Sequence, residues 1–121
     1  MVQTAIEEID GEGFAAYAVW EPILRTDDER SARKATTLFS DTRVTNYWVS
    51  SRDVGVLFQA PIDLTSEPAW DVYLVYGPDA IWGESAPEPE FFMHQLTCRL
   101  PDAQRLDGPR LAEGITRLLV E

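Results

Sequence analysis

The hydrophobic and polar positions change rhythm several times along the chain, and each change marks an element. Residues 14–20, FAAYAVW, are a short continuous apolar run. Such a run predicts a strand buried on both faces. Residues 43–49, RVTNYWV, alternate and are rich in β-branched and aromatic side chains, which predicts a second strand. Between them, TDDE at 26–29 has the form of a capping box: Thr26 accepts from a backbone N–H and Glu29 reaches back. Asp27 and Asp28 favour the positive end of a helix dipole. A helix is expected from Asp27 to about Phe39, with Ala32, Ala35, Leu38 and Phe39 on one face.

Residues 50–60, SSRDVGVLFQA, place Val54, Leu57 and Phe58 at helical spacing, and Pro61 ends the segment. WDVYLVY at 70–76 is the strongest strand pattern in the chain. GPD at 77–79 is a turn, and AIW at 80–82 is expected to return as its hairpin partner. SAPEPE at 85–90 reads as a stiff loop. FFMHQLTCRL at 91–100 fits an edge strand or a short helix equally. Asp107, Gly108 and Pro109 start a last helix, with Leu111, Ile115, Leu118 and Leu119 as its apolar stripe. Residues 1–13 are expected to be a mobile acidic arm, or a short amphipathic piece around Ile6 and Ile9. The order is β-α-β-α-β-β-α over one domain, 14–121. A βαβ unit forces a parallel pair with a right-handed crossover, and the hairpin adds an antiparallel strand. The fold class expected is α/β, with a mixed sheet of about four strands flanked by helices.

Composition narrows the function. The 121 residues suit one moderate core. Residues 1–13 carry four acids and no base, unlike a secretory signal, so a cytoplasmic protein is expected. No apolar run approaches the ~20 residues of a membrane-spanning helix. The net charge of -11 makes nucleic acid and anionic membranes poor partners. Lys34 is the one lysine among ten basic residues, a bias that fits either a GC-rich source or a high-salt cytoplasm. A solubility role fits the acid excess equally. Cys98 is the one cysteine, which excludes an internal disulfide and any multi-thiolate zinc site.

WEPILR at 20–25 stands at the first strand-to-helix junction, and Pro68 stands just before the strongest strand, in EPAWDVYLVY. With the element order, these features resemble the thioredoxin-like superfamily over roughly residues 14–120. WDVYLVYGPDAIW together with MHQL is similar to a group of small bacterial thioredoxin-like proteins. The resemblance implies that Trp20 and Arg25 match the flanks of a Cys-x-x-Cys box, with Glu21 and Leu24 where its cysteines stand. It also implies a cis bond from Glu67 to Pro68. The chain departs from the family's chemistry, because thiol–disulfide exchange needs a thiolate that Glu21 and Leu24 do not provide. Ala15 stands where thioredoxins carry a buried acid. The chain therefore resembles a degenerate member without thiol exchange, in which Trp20, Glu21, Leu24, Pro68 and Trp70 form a groove for an extended protein or peptide segment.

The remaining candidates each have a structural reading beside the functional one. Cys98 has His94 four residues before it and Arg99 after it. A nearby cation lowers a thiol's pKa, giving a reactive thiol, but free cysteine is more often a small buried side chain. His94, the one histidine, lacks a nucleophile and an orienting partner and is expected to be a hydrogen-bonded structural residue. TDDE lacks the glycine and spacing of a calcium loop, and DGEG at 10–13 precedes no helix. Trp20, Trp48, Trp70 and Trp82 are expected in core positions or on a shallow aromatic platform. No metal or cofactor is expected. The function expected is a non-catalytic binding or scaffold module. The alternatives are a redox or peroxide-reactive protein using Cys98, and a homodimeric subunit pairing through an edge strand such as 43–49 or 91–99.

Overall fold

The computed structural model describes residues 2–9, 13–21, 41–65, 67–96 and 99–120. The helix expected at Asp27–Phe39 lies outside the described residues. The fold is mixed α/β. The chain divides into two compact units, residues 1–52 with 108–121, and residues 53–107. Among the described residues no helix is long and apolar enough to cross a membrane.

The first unit holds helix α1, Val2–Glu7, strands β1, Ala16–Trp20, and β2, Val44–Trp48. It also holds α3, Gly108–Val120, the third helix among the described residues. Of the two expectations for the N-terminal residues, the described ones match the short amphipathic piece around Ile6 and Ile9. Six residues cannot hold a helix alone, so α1 depends on packing. Ala5, Ile6 and Ile9 are buried, as are Leu111 and Ala112, and α1 packs against α3. Arg43 fastens the arrangement. Its guanidinium donates to the carbonyls of Ile9 at 2.7 Å and Ile6 at 2.9 Å. These are carbonyls at and beyond a helix C-terminus, where a cation is favoured. The same guanidinium donates to both carboxylate oxygens of Asp41 and lies 4.6 Å from the Phe14 ring centroid.

β1 and β2 pair in parallel, from Ala16 opposite Val44 to Trp20 opposite Trp48. The parallel pair agrees with the expected βαβ start. Burial on both faces does not. Along β1, Ala16, Ala18 and Trp20 are half-buried while Tyr17 and Val19 are exposed. Tyr17 stacks on Tyr47 across the outer face, with ring centroids 6.3 Å apart. A continuous apolar run does not show which face is covered. Two of the outward residues are tyrosines, whose hydroxyls tolerate water.

The second unit holds α2, Asp53–Leu57, and strands β3, Val72–Val75, and β4, Phe91–His94, with 3₁₀ turns at Ala60–Ile62 and Asp102–Gln104. Its core is Ile62, Leu64, Ala69, Leu96 and Leu100, flanked by Phe58, Trp70, Val72, Leu74 and Phe92. β3 and β4 are antiparallel, from Val72 opposite His94 to Val75 opposite Phe91. The expected partner strand at 80–82 is not formed. Ile81 is 83% exposed and Trp82 54%, whereas Met93 and His94 are buried. Pairing through 91–94 buries more apolar surface than a three-residue strand followed by Gly83.

The described residues hold two sheets of two strands each, not one sheet of about four. The connection before β3 explains the difference on the second unit's side. It folds back on itself rather than forming a long crossover helix. The Ala69 N–H donates to Gly55 O at 2.9 Å, and the Gln59 side chain donates to Glu67 O at 2.7 Å. No cis peptide occurs among the described residues, so the Glu67–Pro68 bond is trans, against the expectation. The local support that a cis bond would have lent the thioredoxin resemblance is absent.

Candidate functional site

The residues expected to form one groove fall in both units. Trp20 ends β1, and its indole N–H donates to Asn46 Oδ1 at 3.1 Å. Glu21, half-buried, follows it in the same unit. Leu24 and Arg25 lie outside the described residues. Pro68 and Trp70 belong to the second unit, where Trp70 packs against the buried core cluster. Neither unit alone contains both halves of the expected groove.

Cys98 also lies outside the described residues. His94 is fully buried. Its Nδ1 accepts from the Leu96 N–H at 3.0 Å, and Nε2 stands 2.8 Å from Pro101 O. A backbone N–H only donates and a carbonyl only accepts, so the imidazole is neutral with its proton on Nε2. The His94 carbonyl accepts from the Leu106 N–H at 2.8 Å. The residue ties the end of β4 to the 101–106 segment, and its ring nitrogens are both engaged within the fold. Among the described residues no group of three or more His, Cys, Asp or Glu could hold a metal ion.

The connection between β3 and β4 builds a different site. Its groove has a volume of about 320 Å³ and is lined by Tyr76, Gly77, Asp79, Ile81, Glu88 and Glu90 among others. The turn at 77–79 sets one wall, and the proline-rich stretch 87–90 the other. They are held together by the Tyr76 hydroxyl, which donates to Pro87 O at 2.9 Å. Burial raises the Tyr76 phenol above its ordinary pKa, which keeps it a neutral donor. The Glu90 N–H donates to Val75 O at 2.8 Å and closes the base of the connection. Trp82 packs on Tyr76 with centroids 4.6 Å apart and on Phe58 edge-on at 6.1 Å. It is thus anchored by two rings while half of it meets solvent.

Electrostatically the groove has one sign. From 53 to 98 the chain contains no lysine or arginine and eight acids, among them Asp79, Glu84, Glu88 and Glu90. Aromatic and aliphatic surface beside carboxylates suits a ligand that combines apolar stem with positive charge. Beneath the connection, burial and the nearby Asp71 carboxylate push the Tyr73 phenol up to about 12. Its hydroxyl donates to Gln95 Oε1 at 2.9 Å, so it braces the hairpin rather than serving as a base.

Reading 80–82 as a strand hid this groove. The signal was present in the gap between Arg52 and Arg99, where acids recur without any lysine or arginine, and in Trp82 beside a proline-rich loop. Comparison with protein families, curated proteins and solved structures finds no match to this chain.

Proposed function

We propose that this chain is a non-catalytic binding module whose working surface is the groove between β3 and β4. The observation that carries the reading is Ile81, which lines the groove at 83% exposure, followed by Trp82, held against Tyr76 and Phe58 and still 54% exposed. Fixed aromatic rings that remain in solvent are what interfaces use as anchors. The degenerate thioredoxin-like reading is part of the proposal. A parallel pair, then an antiparallel pair, then a terminal helix is the chain order that the resemblance implies, and this order is its support. A cytoplasmic setting is also proposed, since a chain with one cysteine gains no internal disulfide from an oxidising compartment.

The test is a titration of the ¹⁵N-labelled full chain with short peptides of basic, neutral and acidic character. The expected result is amide shifts concentrated in 76–90 with at least one peptide, lost in Trp82→Ala. Shifts absent from that stretch with every peptide sink the reading.

A second reading, a subunit that pairs with its own copy, draws on the other unit. Tyr17 and Tyr47 are 65% and 50% exposed on one face of β1 and β2, with Val19 exposed beside Tyr17. Sedimentation over a hundredfold concentration range tests it: a dimer abolished by Tyr47→Asp supports this reading, and a monomer throughout rejects it.

A further inference from the structure

We infer that the groove between β3 and β4 selects a cationic peptide segment, one that carries arginine or lysine next to an aliphatic residue. This rests on the binding-module reading and names the chemistry of the partner.

Three features of the site converge on it. The apolar lining is small: Ile81 and Tyr76 line the groove, and Trp82, next to Ile81 in the chain and itself exposed, packs on the Tyr76 ring. A lone hydrophobic side chain would leave the neighbouring carboxylates facing apolar surface. A long basic side chain lays its methylene stem on the aromatic surface and keeps its charge beyond the stem. Asp79, Glu88 and Glu90 line the same groove, within reach of that charge. Among the described residues no ion pair is formed by any of the three. Charge complementarity also argues against the obvious competing occupant. A second copy would bring another -11 to an already acidic face, and like charges brought together lower affinity. The second unit has no lysine or arginine over 53–98, and Arg99 beyond it is paired with Glu67 at 2.9 Å.

An acidic protein attracts any cation weakly, so the experiment must separate the groove from the general field. The probes are three blocked pentapeptides: Gly-Arg-Leu-Arg-Gly and the versions with serine or glutamate in place of arginine. Each is titrated into the ¹⁵N-labelled full chain at 0.05 M salt. The expected result is that the arginine peptide shifts amides in 76–90 and binds about tenfold tighter than the serine peptide. Glu88→Gln with Glu90→Gln should weaken it roughly threefold to tenfold, as expected for partly exposed charge pairs. Glu7→Gln with Glu8→Gln removes the same charge from α1 and its flank and should leave affinity within about twofold. Trp82→Ala should weaken the arginine peptide about tenfold. If that variant is poorly folded, Ile81→Ser, at a position 83% exposed, serves in its place and should weaken it at least threefold.

Equal loss in the two charge variants would mean attraction to the whole acidic surface and overturns the inference. Equal binding of the serine or glutamate peptide at 76–90 also overturns it, while leaving the binding-module reading intact. Self-association that disappears with Trp82→Ala assigns the groove to a second copy and overturns it as well. Failure of all three peptides to move 76–90 removes the module reading and the inference together.

Discussion

Arg43 makes several distinct contacts in the first unit, and its cost on removal is correspondingly specific. It satisfies the Ile6 and Ile9 carbonyls, pairs with Asp41 at 2.7 Å and covers the Phe14 ring. Arg43→Met keeps an apolar stem but leaves those acceptors unpaired, so unfolding by urea should show a loss of about 2 kcal/mol. A loss below about 0.5 kcal/mol would show that water replaces the guanidinium without penalty. Hydrogen bonds from Arg43 hold the Asp41 carboxyl down from 3.8 to about 2. A carboxyl whose folded pKa is depressed adds stability above its unfolded pKa and loses it as pH falls through the folded value. This contribution is therefore present above about pH 4 and fades towards pH 2. Asp41→Asn should flatten that part of the acid profile relative to the parent chain. Unchanged curvature between pH 4 and 2 would contradict the pairing. His94 makes a parallel case in the second unit. His94→Phe removes the acceptor of the Leu96 N–H and the donor to Pro101 O, and should cost roughly 2–4 kcal/mol. Nitrogen-15 shifts of the ring should report the proton on Nε2; a proton on Nδ1 would refute the assigned pair of bonds.

At the scale of elements, the competition between 80–82 and 91–94 for β3 has a direct readout. The Glu90 and Gln95 amides donate to Val75 and Asp71 across the hairpin, while Ile81 and Trp82 are exposed. Hydrogen exchange should be at least about a hundredfold slower at Glu90 and Gln95 than at Ile81 and Trp82, since cross-strand amides need local opening to exchange. The reverse order would restore 80–82 as the strand. This element shows why part of the fold was legible and part was not. The last helix could be read because Pro109 at its first turn and the stripe from Leu111 to Leu119 both have helical meaning. The parallel pair could be read from two β-rich runs too far apart for a tight hairpin. The partner of β3 could not be read, because AIW and FFMH both satisfy the local pattern. Their difference lies in which run reaches the core of Ile62, Leu64 and Leu96, a non-local quantity. The groove was missed for the same reason. It exists only once residues 76–90 become a connection, since the same Trp82 in a strand would be half core. His94 was read correctly as hydrogen-bonded, because a lone histidine with no catalytic companions has few other uses. Its partners Leu96 and Pro101 came from the bend after β4, which carries no periodic signal.

At the scale of the whole molecule, charge is the property most plainly written in the sequence, and its distribution gives it physical consequences. A net charge of -11 on 121 residues, with no lysine or arginine from 53 to 98, means that folding brings many like charges closer in low salt. Added salt shortens the Debye length from about 30 Å at 0.01 M to about 3 Å at 1 M, so screening should raise the unfolding midpoint at pH 7. Salt also strengthens apolar burial, so a rise at one pH does not identify its cause. The two contributions separate near pH 4.5, close to the sequence pI of 4.4, where net charge approaches zero. There the burial contribution remains and the repulsion has largely gone. The Asp41–Arg43 pair also persists at that pH, because the Asp41 carboxyl titrates near 2 and remains ionised. The measurement is thermal unfolding at matched ionic strengths, at pH 7 and pH 4.5. The expected outcome is a clearly larger rise of the midpoint with salt at pH 7. An equal rise at both pH values would leave general repulsion without a role. The acid excess would then be a solubility feature, and a high-salt origin would lose its physical basis.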